Sequence, residues 1–315
     1  MTISPETTLP ETISNDSCDG SPDRQTDVQI GGGSATAPGL VLVSTPIGNL
    51  GDMTPRARQA LEAADLILCE DTRHTGRLLS AFGITGPLQP LHEHNEDQRI
   101  PPLLALLRQG KRLALVSDAG MPLVSDPGYR LVRAAIAAGL PVGVAPGASA
   151  AVTALVLSGL PPQPFLFLGF PPPRQAGRRA AFGGLRAAER AGLSATLIWH
   201  EAPHRLAEAL VDMQAAFGPR QAAVARELTK KFEEVRRGTL AELAEHYAAN
   251  DPRGEITVLV GPPEQADPED LDGQLTSALA SHSVKDAAAL VAAATGLPRK
   301  LVYARALALS SVAPE

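Results

Sequence analysis

A chain of 315 residues with 44% hydrophobic and 20% charged residues has apolar material for two cored domains, and 3% aromatic content makes those cores Leu, Val and Ala. Much of the formal charge of −6 sits in residues 1–38, where six acids face only Arg24, so the rest is nearly neutral: a globally basic nucleic-acid binder is excluded and any basic face must be local. Two cysteines, Cys18 and Cys69, exclude a disulfide framework or a four-cysteine metal site, and no apolar run approaches the roughly 18 residues needed to span a bilayer.

Residues 1–38 read as a disordered acidic tail without periodicity, and their acidity argues against a signal or transit peptide. The protein therefore reads as cytoplasmic, with no membrane partner. An N-terminal α/β domain is expected over 39–160. Its pattern is strand 40–44, loop 45–52, then a helix over 54–64 with Thr54 as N-cap and Pro55 in the first helical position. Strand 65–69 stops at the polar run 70–74, with helix 75–83, strand 88–91 and helix 98–109 beyond. Strand 113–116, loop 117–128, helix 129–138, strand 140–145 and turn 146–149 complete the grammar of a parallel sheet. Such sheets bind ligands beyond the carboxyl ends of their strands, which is where the polar loops fall.

The stretch 159–164 (GLPPQP) breaks the chain, and a second α/β domain is expected over 161–262. It reads as strand 165–170, a stiff then basic loop 171–179, helix 180–191, strand 195–199, helix 203–217 and strand 221–225. A polar run 226–237, helix 240–249 and strand 255–260 follow. Residues 263–270 read as a linker. A helical module over 271–315 then has Ser283 and Asp286 capping one helix and Arg299 opening another, around a turn at 295–298. Helix-turn-helix and helical hairpin docked on the body are equally compatible with that pattern.

The loop 45–52 contains Gly48 and Gly51 but neither dinucleotide-binding spacing nor a Walker lysine, so a phosphate cradle is unsupported. Gly48 instead offers close backbone approach to an uncharged part of a ligand, or a plain tight turn. His200-Glu201-Ala202-Pro203-His204 matches the zinc-protease letters, but Pro203 breaks the helical turn that chemistry needs, so no metal is expected. Glu70, Asp71, Glu93, Glu96 and Asp118 gather acids at strand ends, suited either to acid–base work or to capping nearby N–H groups. Arg226, Lys230, Lys231, Arg236 and Arg237, with Arg174, Arg178 and Arg179, make a basic strip that suits phosphate or is merely solvated.

Taken together, TPIGNL at 45–50, EDTRHT at 70–75, SDAGMPLVSDPG at 117–128, PGAS at 146–149 and ARELTK at 225–230 resemble one family. It is the bacterial small-subunit ribosomal RNA methyltransferase I family of the tetrapyrrole methylase superfamily. The resemblance runs from about Leu40 to the C-terminus. It implies two α/β domains with S-adenosylmethionine in the cleft between them, a small C-terminal helix-turn-helix-like segment, a homodimer, and 2′-O-methylation of a cytidine in 16S ribosomal RNA of the small subunit. Family cofactor positions fall on Pro46 and Gly48, on Asp118, Ala119, Gly120 and Pro122, and on Gly147, Ala148, Ser149 and Ala150. Phe170, His200 and Glu201 should approach from the second domain. Where many superfamily members carry several glycines in the first loop, this chain has Ser44, Pro46 and Gly48, which resembles the RNA-modifying branch.

For the in-line attack of a ribose 2′-oxygen on an activated methyl, Glu70 and Asp71 are the expected base or orienting carboxylates. Arg73, Arg226 and Lys230 are expected to steady oxygen or phosphate. Arg299, Lys300 and Arg305 of the terminal helices are candidate RNA contacts. The rival expectations are a methylase of a tetrapyrrole or corrinoid precursor and, more remotely, a non-enzymatic RNA-binding protein.

Overall fold

The structure is a computed structural model that describes residues 39–263 and 268–311; the acidic tail with Cys18, part of the 263–270 linker and the last four residues lie outside the described residues. Strands β1 (Gly39–Val43), β2 (Leu66–Cys69), β3 (Leu88–Pro90), β4 (Arg112–Val116) and β5 (Val142–Ala145) form a parallel sheet in the order β3-β2-β4-β1-β5. Helices α1 (Pro55–Glu62), α2 (Thr72–Ala81), α3 (Glu96–Arg108) and α4 (Tyr129–Ala137) connect the strands. Side chains alternate along each strand. Val43, Ala114 and Val116 meet Ala57, Leu61 and Leu79 of α1 and α2, whereas Leu40, Leu113 and Leu115 meet Leu103, Leu107 and Leu131 of α3 and α4. Both faces are therefore dry, as the near-continuous apolar strands require.

The second sheet holds β6 (Phe165–Phe167), β7 (Thr196–Glu201), β8 (Gln221–Arg226), β9 (Glu234–Thr239) and β10 (Ile256–Val260) in the order β6-β7-β10-β8-β9, with only β6 and β7 parallel. One face carries α6 (Gln175–Arg190), α7 (Leu206–Phe217) and α8 (Leu240–Ala249), whose Phe182, Leu210 and Leu243 share a core with Leu197, Trp199 and Val258. The opposite face is covered by α5 (Ala150–Ser158), the helix leaving β5. Its sequence AAVTALVLS is apolar nearly all round, and Ala151, Ala154 and Leu155 lie on Ile198, Ala223 and Leu259. One helix thus couples the two sheets.

Beyond them α9 (Pro268–Leu279), α10 (Val284–Thr295) and α11 (Arg299–Ser310) enclose a small core of Leu275, Ala287, Val291, Val302 and Ala306. Ser283 accepts from the Asp286 N–H at 3.2 Å, as its pattern predicts. Several elements depart from expectation, among them β6, which ends at Phe167, and α7, which begins at Leu206. Helix α2 begins at Thr72, so most of the 70–74 motif is helical; α6 begins at Gln175; 234–239 is a strand; and α9 takes residues 268–270 out of the presumed linker. No helix among the described residues is long and apolar enough to cross a membrane.

Candidate active site

Because the first sheet is parallel, the segments after β1, β2, β4 and β5 emerge on one edge, where hydrogen bonds stitch them together. Thr45 N–H donates to Gly120 O at 2.9 Å and Gly120 N–H returns to Thr45 O at 3.1 Å, while Thr45 Oγ1 donates to Ser117 O at 3.2 Å. Ser44 Oγ donates to Ala148 O at 3.0 Å, and the Asp71 N–H reaches Asp118 Oδ1 at 3.4 Å. The 117–128 loop holds Leu123 at φ 72° and Ser125 at φ 71°, left-handed conformations that cost a branched or polar residue energy and persist only where surroundings enforce them. Gly48 meets the second half of the chain: a Cβ there would stand 2.9 Å from Thr229 Oγ1 and 3.0 Å from Leu228 O. The 225–230 motif therefore packs on the side of this glycine where a Cβ would stand.

Two cavities open along this edge. One, about 360 Å³, lies between the sheets and is lined by Asp118, Ser125, Asp126, Ala150 and, across the cleft, by Phe170, His200, Glu201 and Thr257. The other, about 400 Å³, is lined by Pro46, Gly48, Leu50, His74, Arg77, Leu78 and Lys230. They share Ile47, Asp118, Ala119 and Glu255. Two ligands bound side by side would meet at Asp118.

The walls differ in charge. Burial, with Glu70 and Asp118 nearby, pushes the Asp126 carboxyl up to about 6 against a hydrogen bond from Ser117. Burial also holds His200 below the usual imidazole range, in spite of Glu255, so the ring is neutral near pH 7. Its Nδ1 lies 3.1 Å from Thr257 Oγ1, its register partner on β10, and Phe167 and Phe170 pack on the ring. Glu201 is buried; its Oε1 accepts from Ala202 N–H at 2.8 Å and Arg205 Nε at 2.7 Å, whereas Oε2 has no hydrogen-bond partner among the described residues. A buried acceptor without a partner is costly, and Glu201 alternates with His200 along β7, on the face that carries the Leu197 and Trp199 core. Lys230 Nζ sits between Glu227 at 2.8 Å and Glu255 at 3.1 Å; burial lowers its pKa, but the two carboxylates outweigh that and raise it, fixing the charge.

Of the expected site residues, Asp118, Ala119, Ala150, Phe170, His200 and Glu201 line the inter-sheet cavity, and Pro46, Gly48 and Lys230 line its neighbour. Gly120, Pro122, Gly147, Ala148 and Ser149 belong to the loops at this edge but are not among the residues lining either cavity. Glu70, Asp71, Arg73 and Arg226 line neither cavity. Asp71 is the α2 N-cap, accepting from the N–H groups of Arg73 at 2.8 Å and His74 at 3.4 Å, and the Arg73 side chain holds it further. Its carboxyl is lowered to about 2, out of range for a base near neutral pH. Arg226 is engaged by Glu234 at 2.8 Å, and Arg237 caps the carboxyl end of α5 through Leu157 O and Ser158 O. Arg178 is fully buried against Asp212, so it belongs to the core and not to a phosphate-binding strip. Glu96 is likewise buried, accepting the Leu131 N–H at 2.8 Å. Sequence reasoning missed Asp126, His74 and Arg77. The last two would have emerged had the motif been read as a helix capped by Asp71.

Residues 39–244 match the family described as Tetrapyrrole (Corrin/Porphyrin) Methylases, and residues 265–310 match the RsmI C-terminal HTH domain. The chain belongs to the tetrapyrrole methylase family. Within it, the chain is 49% identical to the ribosomal RNA small subunit methyltransferase I of Mesorhizobium japonicum, across 88% of this chain and 94% of that protein. The Escherichia coli O157:H7 protein of the same name is 46% identical, across 85% and 94%. Among solved structures, a cobalt precorrin-4 methyltransferase superposes with a TM-score of 0.54 at 16% identity, covering 73% of this chain and 97% of the other. A diphthine synthase gives 0.54 at 16%, covering 70% and 89%. At such identity these two share the fold alone.

Proposed function

We propose that this methyltransferase uses S-adenosylmethionine to methylate the ribose 2′-hydroxyl of a cytidine in 16S ribosomal RNA of the small subunit. The observation that carries the reading is the pair of cavities joined at Ile47, Asp118, Ala119 and Glu255, since a transfer reaction needs donor and acceptor in adjoining sites. The relatives named above supply the substrate class.

The inter-sheet cavity fits the donor. Asp118 and Asp126 give it a negative wall for a cationic ligand, neutral His200 adds no opposing charge, and Phe170 offers an aromatic face. When bound, S-adenosylmethionine supplies a methyl already activated by its positive sulfur. The chain's own part is positioning and proton handling. Asp118, at the junction, has one carboxylate oxygen on the Asp71 N–H and the other available to orient the attacking hydroxyl and take its proton. Lys230, locked in its charged form, steadies developing negative charge from the acceptor side.

The chain acts as a homodimer in the cytoplasm, where its RNA is. Support for the dimer is the apolar edge formed by Val144 on β5, Val152 and Val156 on α5, and Phe165 on β6, all exposed. A monomer in light scattering would remove it. The catalytic reading is tested by offering a labelled methyl donor with small subunits from a strain lacking the modification, or with a porphyrinoid precursor. Label in a ribose of 16S RNA is the expected result. Label in the porphyrinoid alone would overturn it.

A further inference from the structure

Helix α2 turns His74, Arg77, Leu78 and Ala81 into the outer cavity, the i, i+3, i+4, i+7 spacing of one helical face. Pro46 and Leu50 face them from the loop after β1, and Leu50 is 51% exposed. The cations here are not alike. Arg73 is held by Asp71, Arg226 by Glu234, and Lys230 by Glu227 and Glu255. Among the described residues, the His74 and Arg77 side chains make no hydrogen bond or ion pair. A guanidinium without a partner, on a cavity where Leu50, Leu78 and Ala81 supply apolar wall and the carboxylates Asp118 and Glu255 sit at the junction with the inner cavity, suits an anion attached to a flat body. A nucleotide has that composition.

We propose that the outer cavity takes the acceptor nucleotide unstacked from its neighbours, with its flanking phosphate on Arg77 and its base between Leu50 and Leu78. This assignment rests on the RNA reading above and names the surface that enforces it. Enzymes acting on one nucleotide pull it from the stack, and apolar faces replace the lost stacking. An arginine fork matches phosphate oxygens in pairs, which a lysine does not. The cavity's junction at Asp118 then brings the ribose toward the donor.

The test compares wild type with Arg77→Ala and Arg77→Lys in three measurements: affinity for S-adenosylmethionine, affinity for small subunits over a salt series, and labelled methyl transfer. Arg77 is exposed and unbonded, so unchanged melting should accompany both variants. Arg77→Ala should weaken subunit binding about tenfold and flatten the salt slope by about one, while donor affinity stays within twofold. Arg77→Lys should keep the salt slope and recover only part of the affinity. An unchanged slope and turnover in Arg77→Ala would overturn the assignment while wild-type transfer still upholds the RNA reading. Parallel loss of donor affinity would move Arg77 to the donor side and also overturn it. Absence of ribose label from wild type would bring down both.

Discussion

Asp71 and Asp126 lie on the same sheet edge with the same side chain, yet one carboxyl is lowered to about 2 and the other raised to about 6. Asp71 receives the Arg73 side chain and two N–H groups at the start of a helix, all favouring its charge. Asp126 loses water and faces Glu70 and Asp118, which disfavour it. Between the ordinary 3.8 and about 6 the folded chain therefore binds more protons at Asp126 than the unfolded chain does. Stability falls as pH rises through that window, and the cost is complete above it. Asp126→Asn removes the repulsion at nearly constant shape. It should stabilise the protein at pH 8 by about 1 kcal/mol after solvent screening, with the gain vanishing near pH 4. Donor affinity should fall in wild type as pH drops from 7 to 5 and fall less in the variant, with Asp118 and His200 lining the same cavity in both. Calorimetry across pH reads both, and a variant less stable than wild type at pH 8 refutes the account.

At the scale of elements, what the sequence conceals is the partner across the fold. The first sheet is legible because each strand is apolar and each connection ends in a polar loop, and Thr54, Pro55 and Ser283 announce their helices directly. Residues 175–179 look like a solvated basic loop, since nothing nearby shows that Arg178 will be buried. Its partner is Asp212 on α7, which holds Arg178 Nε at 2.8 Å and Arg179 Nε at 2.7 Å. Strand β9 is an edge strand rich in charge, and only its pairing with β8 makes it extended. The same blindness applied to the site. Asp118 was legible from its motif, whereas the burial that singles out Asp126, beside Glu70 and Asp118, exists only once the loops of the sheet edge meet. Removing Asp212 tests how far the buried pair fixes α6. Asp212→Ala leaves Arg178 with Glu208 and Pro173 O, both at 3.5 Å, and should cost about 3–5 kcal/mol in urea unfolding. Adding Arg178→Met should recover much of that loss, because the unpaired charge does most of the damage. Loss below 1 kcal/mol in the single variant would show that solvent reaches the guanidinium.

At the scale of the molecule, a nearly neutral body has to hold a polyanion, so its free cations must be few and well placed. The helical module carries Arg299, Lys300 and Arg305 on α11, but Arg305 is tied to Asp272 on α9, with Nε at 2.7 Å from Oδ1. That pair joins two helices of the bundle and leaves little charge for RNA. Arg299 and Lys300 form no ion pair among the described residues and stand in the first helical turn, where the helix dipole disfavours cations by about 0.3–1 kcal/mol. Position alone would not select lysine and arginine there, whereas contact with phosphates would. The double variant Arg299→Ala/Lys300→Ala should therefore weaken small-subunit binding and flatten its salt slope by about two, with donor affinity and melting unchanged. Arg305→Ala should do the reverse, loosening the bundle slightly while leaving the salt slope alone. Because α11 and the outer cavity share no side-chain partner among the described residues, combining Arg77→Ala with the double variant should add the losses in log affinity and bring the slope change to about three. A slope unmoved by the double variant would assign the module to protein contacts on the subunit, with Arg77 and its cavity left to carry the RNA.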